Sequence, residues 1–246
     1  MFTSASDRAF AVTVYRHANT TLNLKRAKRW LPAITAILKK NNIPEDFKYL
    51  PVIESNLLNL ISPQGATGFW QFMPETARQY GLEITSEVDE RYHPIKSTEA
   101  AVQYFRDAYR IFNNWTCVAA SYNMGMQGLK TKIEAQNTQN YYDLYLNAET
   151  SAYLFFALAT KCVFEHPEKY GYAAAAQKQY PKVTFRQLEV TQSIPSLINF
   201  ARSQQVSYLT LKEYNPWLQS NSLTLYRPNQ RYVLLLPQKE KKMTEG

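Results

Sequence analysis

Apolar residues repeat with helical spacing through the first two thirds of the chain, and this repeat restricts the fold more than any other feature. Within residues 30–38 they recur at i, i+1, i+4, i+7 and i+8, which places them on one face of a helix. Similar stripes return over residues 100–112, 115–122 and 149–171. Because no alternating strand pattern precedes residue 180, the sequence predicts a mainly α fold up to that point.

Proline, glycine and small polar residues predict where individual helices begin and end. Pro44 is suited to the first position of a helix. The segment 74–82 starts with proline and has a glycine near its end, so it predicts a short, complete helix. Ser97 is a predicted N-cap, and a further helix is predicted from near Asn114 to near Gly125.

The pattern changes beyond residue 180. Residues 182–190 and 231–237 are rich in strand-forming side chains, whereas residues 194–206 and 211–218 have a helical pattern. The order strand, helix, helix, strand predicts a small α+β unit at the C-terminal side.

These patterns predict three parts of the chain. Residues 1–180 are expected to form a helical domain with an N-terminal helical extension, residues 181–238 the small α+β unit, and residues 239–246 a disordered tail. A chain of 246 residues with 45% hydrophobic and 14% aromatic side chains can bury a core for one large domain and a small appendage.

The charge of the chain narrows its partner classes. A formal net charge of +8 suits an anionic partner, such as nucleic acid, a membrane surface or an acidic polysaccharide, and it also fits an ordinary solvated basic surface. No basic patch with interleaved aromatic residues is present, which argues against a nucleic-acid partner. No stretch is apolar enough to span a membrane, and the N-terminus does not resemble a signal peptide.

Histidine and cysteine carry no metal-site signal. The three histidines lack ligand spacing, so neither a metal nor another cofactor is expected. Two cysteines cannot define a disulfide framework. Cys117 and Cys162 both lie in apolar helical patterns, where buried thiols are expected and a bridge is the alternative.

One acidic residue, Glu54, lies within the apolar segment 50–60. On a helix that starts at residue 44, it shares the apolar face with Phe47 and Leu50. Burial raises the pKa of a carboxyl group, and a carboxylic acid that stays protonated near neutral pH can serve as a general acid. The alternative is a structural glutamate satisfied by an arginine or by backbone groups.

Two Gly-x-x-Gly pairs, at 65–68 and 125–128, adjoin polar residues in the same helical region. Each pair alone fits a turn or a helix end as well as a functional site. Both pairs together, in the same region as Glu54, indicate a cleft.

Polar and aromatic residues beside these glycines are candidate ligands of a sugar. Gln71 is expected on an extended segment between the aromatic residues Phe69, Trp70 and Phe72, and aromatic rings with amide groups are typical of sugar sites. Met73, which follows this segment, is a further candidate. Tyr122 lies on an apolar helix stripe, so its buried hydroxyl needs a partner. Asn123 follows it at the helix end.

No second acidic residue accompanies Glu54 in these segments. Most glycoside hydrolases use two carboxylates, so the second role would fall to the substrate. A 2-acetamido group can stabilise the oxocarbenium-like centre, and a 6-hydroxyl group can close a 1,6-anhydro ring. This chemistry suits N-acetylmuramic acid (MurNAc).

Five segments in order resemble the lytic transglycosylases of the soluble-transglycosylase superfamily, over about residues 25 to 172. The resemblance implies a lysozyme-like, mainly α-helical catalytic domain that cleaves the bond between MurNAc and N-acetylglucosamine (GlcNAc) in peptidoglycan without water. The segments are IPEDFKYLPVIESNL, SPQGATGFWQFMPETARQYGL, DERYHPIKSTEAAVQYF, NNWTCVAASYNMGMQGL and HPEKYGY.

The resemblance also implies roles for individual residues. Glu54 corresponds to the catalytic acid and base, and Ser55 would support the site by hydrogen bonding. Gln71 would bind the substrate, Tyr122 would hydrogen-bond Glu54, and Asn123 would support the site.

The C-terminal unit is similar to LysM-type peptidoglycan-binding modules in its helix order and in the Asn-Pro after the second helix. The usual Gly-Asp turn before the first helix is absent, and Thr-Gln-Ser stands there. Whether this unit binds glycan therefore stays open.

The interpretation is thus an enzyme that acts on peptidoglycan glycan strands in the periplasm or cell envelope. Membrane association through an N-terminal anchor outside this sequence stays open, as does the oligomeric state. Two alternatives remain: a muramidase that uses water on the same fold, and a peptidoglycan-binding scaffold with an inactive site.

Overall fold

A computed structural model describes residues 2–177 and 185–238 of the chain. Helices dominate the first range. They are α1 (Phe2–Tyr15), α2 (His17–Lys40), α3 (Leu50–Ser55), α4 (Pro74–Gln79), α5 (Pro94–Phe112), α6 (Trp115–Met124), α7 (Met126–Gln136), α8 (Ala148–Glu165) and α9 (Ala173–Gln177). Short 3-10 helices lie at Glu45–Tyr49, Glu90–Tyr92, Tyr141–Asp143 and Pro167–Tyr170. The predicted mainly α class is confirmed.

The core of the helical domain lies around α5 and α6. Phe105 of α5 and Val118 and Ala120 of α6 are fully inaccessible to solvent. Trp70, from the loop before α4, packs edge-on against Phe105 with ring centroids 5.7 Å apart. Because buried apolar area is the main favourable term in folding, this contact fixes the loop to the centre of the domain.

Helix α6 begins and ends where the sequence predicts. The side chain of Asn114 accepts hydrogen bonds from the backbone N–H groups of Thr116 and Cys117. Gly125, with φ of 84°, follows the last residue of the helix. The side chain of Asn114 satisfies backbone N–H groups that the start of a helix leaves without partners, and the positive φ of Gly125 ends the helix.

The predicted start of a helix at Ser97 is wrong, and the helical segment predicted from Pro44 differs in its type. Helix α5 begins at Pro94, and its N-cap is His93, whose Nδ1 accepts a hydrogen bond from the backbone N–H of Lys96 at 3.4 Å. Ser97 is buried one turn later, where its Oγ donates to the carbonyl oxygen of His93 at 2.8 Å. Pro44 precedes a 3-10 helix, and this runs on into α3.

The second described range forms the predicted strand, helix, helix, strand unit. Its elements are β1 (Phe185–Val190), α10 (Leu197–Ser203), α11 (Tyr208–Tyr214) and β2 (Tyr232–Pro237). The two strands pair antiparallel, with Phe185 opposite Pro237 and Val190 opposite Tyr232. The predicted boundary at 180/181 and the predicted tail at 239–246 lie outside the described residues.

The small α+β unit is docked on the helical domain through residues 83–93. Val88, which is 1% exposed, belongs to the hydrophobic core of the small unit. The backbone N–H of Asp89 donates to the carbonyl oxygen of Trp217 at 2.9 Å, and the hydroxyl of Tyr232 donates to Glu83. The segment 83–93 of the helical domain therefore contributes Val88 to the core of the small unit and forms hydrogen bonds with that unit beside it.

The side chain of Glu87 adds a cap to this interface. Its carboxylate accepts hydrogen bonds from the hydroxyl of Ser222 and, at 2.7 Å, from the backbone N–H of Thr224. These bonds, with that of Ser222 first, lower the pKa of Glu87. The carboxylate therefore stays ionised while the two units are docked.

Cys117 is buried in α6, Cys162 is half-buried in α8, and both are free thiols. Among the described residues, the helices are too short or too polar to cross a membrane.

Candidate active site

Glu54 lies in the last turn of α3. The helix ends there because Asn56 and Leu57 adopt left-handed backbone angles, with φ of 56° and 54°. The side-chain amide of Asn23 in α2 donates to the Oδ1 atom of Asn56 at 2.7 Å, and Arg26 donates to the carbonyl oxygen of Asn56 at 3.2 Å. Helix α2 thus fixes the position at which α3 stops and Glu54 emerges.

The half-buried carboxyl group of Glu54 has one direct side-chain partner among the described residues. The hydroxyl of Tyr153, in α8, donates to its Oε1 atom at 2.5 Å. Burial raises the pKa of Glu54 to about 7, the bond from Tyr153 lowers it, and the negative charge of Glu149 raises it further. The group is therefore suited to give and take a proton near neutral pH.

The loop between α3 and α4 forms the neighbouring wall of the site. The Oγ of Ser55 donates to the carbonyl oxygen of Phe69 at 2.9 Å and to that of Pro51 at 3.0 Å. The hydroxyl of Tyr122 donates to the carbonyl oxygen of Trp70 at 2.7 Å. These bonds join the loop to α3 on one side and to α6 on the other.

Gly68 allows this loop to lie against the chain at Arg91. Its φ is +81°, and a Cβ atom placed on it would lie 1.9 Å from the carbonyl oxygen of Arg91. The Arg91 guanidinium, paired with Asp89 at 2.7 Å, also donates to the carbonyl oxygens of Gly65 and Phe72. Only glycine fits this position, because both the backbone angle and the close approach exclude a side chain.

Gln71 lies at the end of this turn, with φ of 50°. Its Nε2 donates to the carbonyl oxygen of Gly68 at 2.8 Å and to that of Leu60 at 3.2 Å. The predicted extended segment is therefore wrong, since residues 68–71 form a tight turn between Thr67 and Phe72.

Two cavities meet at Glu54. The first, of about 570 Å³, is bordered by Gln71, Met73 and Tyr122. The second, of about 600 Å³, lies between α1, α2, α3 and α8. Both are lined by Glu54, Asn123 and Glu149, so the carboxyl group lies at their junction. Cavities of this size are typical of sites for small molecules and sugar units.

Several predicted site residues lie together around this junction. Gln71, Tyr122 and Met73 line the first cavity with Glu54, and Asn123 lines both cavities. The side chain of Asn123 joins Glu149 and Thr150, because its amide donates to Glu149 at 2.9 Å and its oxygen accepts from Thr150 at 2.7 Å.

Two predicted contacts differ in the structure. The hydroxyl of Tyr122 donates to the Trp70 carbonyl oxygen instead of Glu54, although burial and then the nearby Glu54 carboxylate raise the pKa of the phenol. Phe69 is 3% exposed and packs edge-on against Trp30, so it belongs to the core and not to a sugar-binding floor. Ser55 forms its hydrogen bonds with the carbonyl oxygens of Phe69 and Pro51.

Sequence reasoning missed two residues of this site, Tyr153 and Glu149, both in α8. Tyr153 could have been found, because a tyrosine within the apolar helix 149–171 needs a partner for its hydroxyl. Glu149 carried no such signal, since an acidic residue in the first turn of a helix is common. It is nevertheless a second carboxylate beside Glu54, and it lines both cavities; the two cavities together are called the groove below.

No group of three or more His, Cys, Asp or Glu side chains that could hold a metal ion occurs within residues 2–177 and 185–238.

Residues 32–145 match the family model of the transglycosylase SLT domain, and residues 186–240 match that of the soluble lytic transglycosylase C-terminal LysM-like domain. The chain therefore contains an SLT transglycosylase domain followed by a LysM-like domain, which confirms the resemblance seen in the motifs.

The chain is also similar to two individual proteins. Membrane-bound lytic murein transglycosylase D of Escherichia coli strain K12 is 31% identical over 152 residues, which are 59% of this chain and 34% of that protein. A putative tributyltin chloride resistance protein of Alteromonas sp. strain M-1 is 29% identical over 114 residues, which are 46% of this chain and 55% of that protein. The chain thus spans about a third of the length of the first relative and about half of the second.

Proposed function

We propose that the protein is a peptidoglycan lytic transglycosylase. It cleaves the MurNAc-(β1,4)-GlcNAc bond without water and leaves 1,6-anhydro-MurNAc ends. The observation that carries this proposal is the half-buried carboxyl group of Glu54, with a pKa of about 7, at the junction of two cavities of sugar size. The SLT family match and the relative named as a lytic murein transglycosylase support the same substrate class.

Glu54 acts first as an acid and then as a base in this scheme. The protonated carboxyl group donates to the glycosidic oxygen as the C1–O bond breaks, and the 2-acetamido group stabilises the positive charge at C1. The resulting carboxylate then accepts the proton of the 6-hydroxyl group, while the O6 atom of the sugar bonds to C1 and closes the 1,6-anhydro ring. A pKa near neutrality suits both steps, because neither form of the group is strongly disfavoured.

The surrounding residues hold Glu54 and the sugar in the positions that this reaction requires. The hydroxyl of Tyr153 holds one carboxyl oxygen, which leaves the other oxygen of Glu54 available for the substrate. Gln71 and Tyr122 border the first cavity, where they bind or orient the sugar on that side of the bond. Ser55 supports the first cavity from behind through the loop, and Asn123 lines both cavities and is held there by Thr150.

Product analysis on purified sacculi tests the proposal. The wild type is expected to release 1,6-anhydro-muropeptides, and Glu54→Gln is expected to lose the rate by roughly 10³-fold or more, because an amide cannot donate the proton. Glu99→Gln is the control, since Glu99 is an exposed residue of α5 outside both cavities. Activity retained in folded Glu54→Gln would refute the assignment.

A hydrolytic muramidase is a second candidate, because Glu149 lines both cavities beside Glu54. A second carboxylate in a groove can activate a water molecule for attack on C1. Cleavage in water enriched in ¹⁸O distinguishes the two reactions. Reducing ends that contain the heavy oxygen would establish hydrolysis, and anhydro ends without it would establish the lytic reaction.

The proposed reaction places the protein in the periplasm or cell envelope, with peptidoglycan glycan strands as its partner, since that is where the substrate lies. The name of the Escherichia coli relative includes the words membrane-bound, and this supports association with the membrane for the present protein as well.

A further inference from the structure

The outer wall of the second cavity carries two arginine side chains from the N-terminal helices. Arg8 lies in α1, and Arg16 lies at the junction between α1 and α2. Both border the cavity that Glu54 also borders, together with Asn19 and Asn23 of α2. Helix α1 packs along α8, so these cations face the side of the groove that contains Glu149 and Tyr153.

These two cations have no carboxylate partner within the described residues. Neither Arg8 nor Arg16 takes part in a salt bridge or a side-chain hydrogen bond there. Arg91, Arg110 and Arg231 are each paired with an aspartate or a glutamate, whereas the exposed Arg106 has no such partner among the described residues. The position beside the cavity is therefore what distinguishes Arg8 and Arg16. A guanidinium stays charged at any physiological pH, and its fork of N–H groups matches a carboxylate.

This wall belongs to a part of the chain that neither family model covers. The SLT match begins at residue 32, whereas the arginines lie at positions 8 and 16. Neither matched family model therefore assigns a role to these two arginines.

We infer that Arg8 and Arg16 form a cationic subsite for carboxylates on the substituent of MurNAc. This inference rests on the proposed function. In a glycan strand, MurNAc carries either a peptide stem, which ends in carboxylates, or a free lactyl carboxylate where the stem has been removed. GlcNAc carries no such group. The subsite therefore favours strands with an anionic substituent on the sugar next to the broken bond.

Binding measurements in the Glu54→Gln background test this subsite without turnover. Three ligands are compared by isothermal titration calorimetry: glycan strands with stems, the same strands after an amidase has removed the stems, and neutral chitohexaose. Arg8→Gln/Arg16→Gln is expected to weaken binding of an anionic strand about tenfold and to leave chitohexaose unchanged. A loss confined to stem-bearing strands assigns the stem carboxylates as ligand, and a loss on stem-free strands assigns the lactyl carboxylate.

Two further variants keep the result interpretable. Arg106→Gln/Lys132→Gln removes the same charge from exposed positions outside both cavities, and it is expected to bind all three ligands like the parent. Arg8→Lys/Arg16→Lys keeps the positive charges but loses the fork of N–H groups, so its affinity for anionic strands is expected to lie between those of the parent and the glutamine variant. An equal loss on chitohexaose, or no loss on either strand, would overturn the subsite.

The same panel separates this inference from the proposed function. A wild type that releases no anhydro-muropeptides from sacculi would refute the proposed reaction. The binding comparisons would still show whether the arginine pair selects anionic strands, because they need no cleavage.

Discussion

Glu54 and Tyr153 are 99 positions apart in the chain, yet the tyrosine hydroxyl is the direct partner of the carboxyl group. Two opposed effects act on that carboxyl group. Burial and the charge of Glu149 raise its pKa, and the hydrogen bond from Tyr153 lowers it. The value near 7 is the balance of these effects, so each can be changed separately.

Removal of the tyrosine hydroxyl tests this balance. The rate of the wild type is expected to fall as pH rises above about 7, because the ionised form of Glu54 cannot donate a proton. Tyr153→Phe removes the bond that lowers the pKa, so the falling limb of the profile of kcat/KM against pH should move to higher pH by roughly one unit.

Tyr145→Phe is the matched control, since Tyr145 is 83% exposed and lies outside both cavities. Its profile should overlay that of the wild type. A limb that stays in place in Tyr153→Phe, or moves to lower pH, would contradict the proposed coupling between the two side chains.

For single residues, the sequence predicts which side chains lie together, but it is less successful in predicting the hydrogen bonds between them. Glu54, Gln71 and Tyr122 do line one cavity, as their motifs indicate. The partner of Tyr122 could not be predicted, because it is a carbonyl oxygen whose position depends on the turn at Gly68. Helical periodicity predicts which side chains lie on one face of a helix, but it does not predict the path of the loop that packs against that face.

At the scale of an element, the loop before α4 depends on a single glycine. Gly68→Ala would combine an unfavourable positive φ with a contact of 1.9 Å to the carbonyl oxygen of Arg91. We expect a loss of about 2–4 kcal/mol in the free energy of unfolding, measured by urea denaturation, because the backbone must move or strain must be accepted.

Gly65→Ala is the control for this change. It has a similar φ of +88°, but no atom of the described residues lies within 4 Å of the added Cβ, so it should cost only about 1–2 kcal/mol of backbone strain. Equal losses in the two variants would show that the approach to Arg91 is not the constraint.

The N-cap of α5 provides a pH-dependent test. Burial, with a smaller effect of the Lys96 ammonium, lowers the pKa of His93 to about 4. Between pH 6.5, the ordinary value, and pH 4 the unfolded chain binds a proton that the folded chain does not, so stability falls as pH falls. His93→Asn keeps a side-chain acceptor for the Lys96 N–H group and should reduce this loss by on the order of 3 kcal/mol.

Urea denaturation of both proteins at pH 7 and pH 4 measures the difference. Other groups that titrate in this range are common to both proteins and therefore cancel. The exposed residue His166 provides the control, and His166→Asn should retain the pH dependence of the wild type. Identical dependence in His93→Asn would refute the role of the buried imidazole.

Helix limits followed from the sequence where capping residues are unambiguous. Asn114 and Gly125 mark both ends of α6. The sequence predicts the start of α5 wrongly because Ser97 resembles an N-cap, whereas Pro94 at the first position and the ring of His93 fix the start one turn earlier. Histidine is an uncommon cap, so residue preferences alone do not indicate it.

At the scale of the whole molecule, the order of elements in both units could be predicted, and the contact between them could not. Val88 belongs by sequence to the helical domain and by packing to the core of the LysM-like unit. Patterns of periodicity assign residues to elements, but they do not indicate which core a loop residue enters.

Replacement of Val88 by a charged residue tests whether the two units unfold together. Val88→Asp would place a carboxylate in an apolar core, which costs several kcal/mol when no partner is present. In scanning calorimetry we expect the wild type to unfold in one transition and Val88→Asp to show a second transition at lower temperature.

Val233→Asp is the control on the same unit, because Val233 is 44% exposed on β2. It should keep the single transition with a small change in Tm. A single, unchanged transition in Val88→Asp would show that Val88 does not couple the units.

The position of Val88 in the core of the small unit also limits how this unit can be transferred to another protein. A transplant cut at the family boundary, residue 186, would leave Val88 and the carboxylate of Glu87 behind. The recipient would then receive a fragment with an open hydrophobic face and an uncapped turn at Thr224. Engineers who graft this unit onto another protein should therefore include residues 83–93, or supply their equivalent, in the transferred segment.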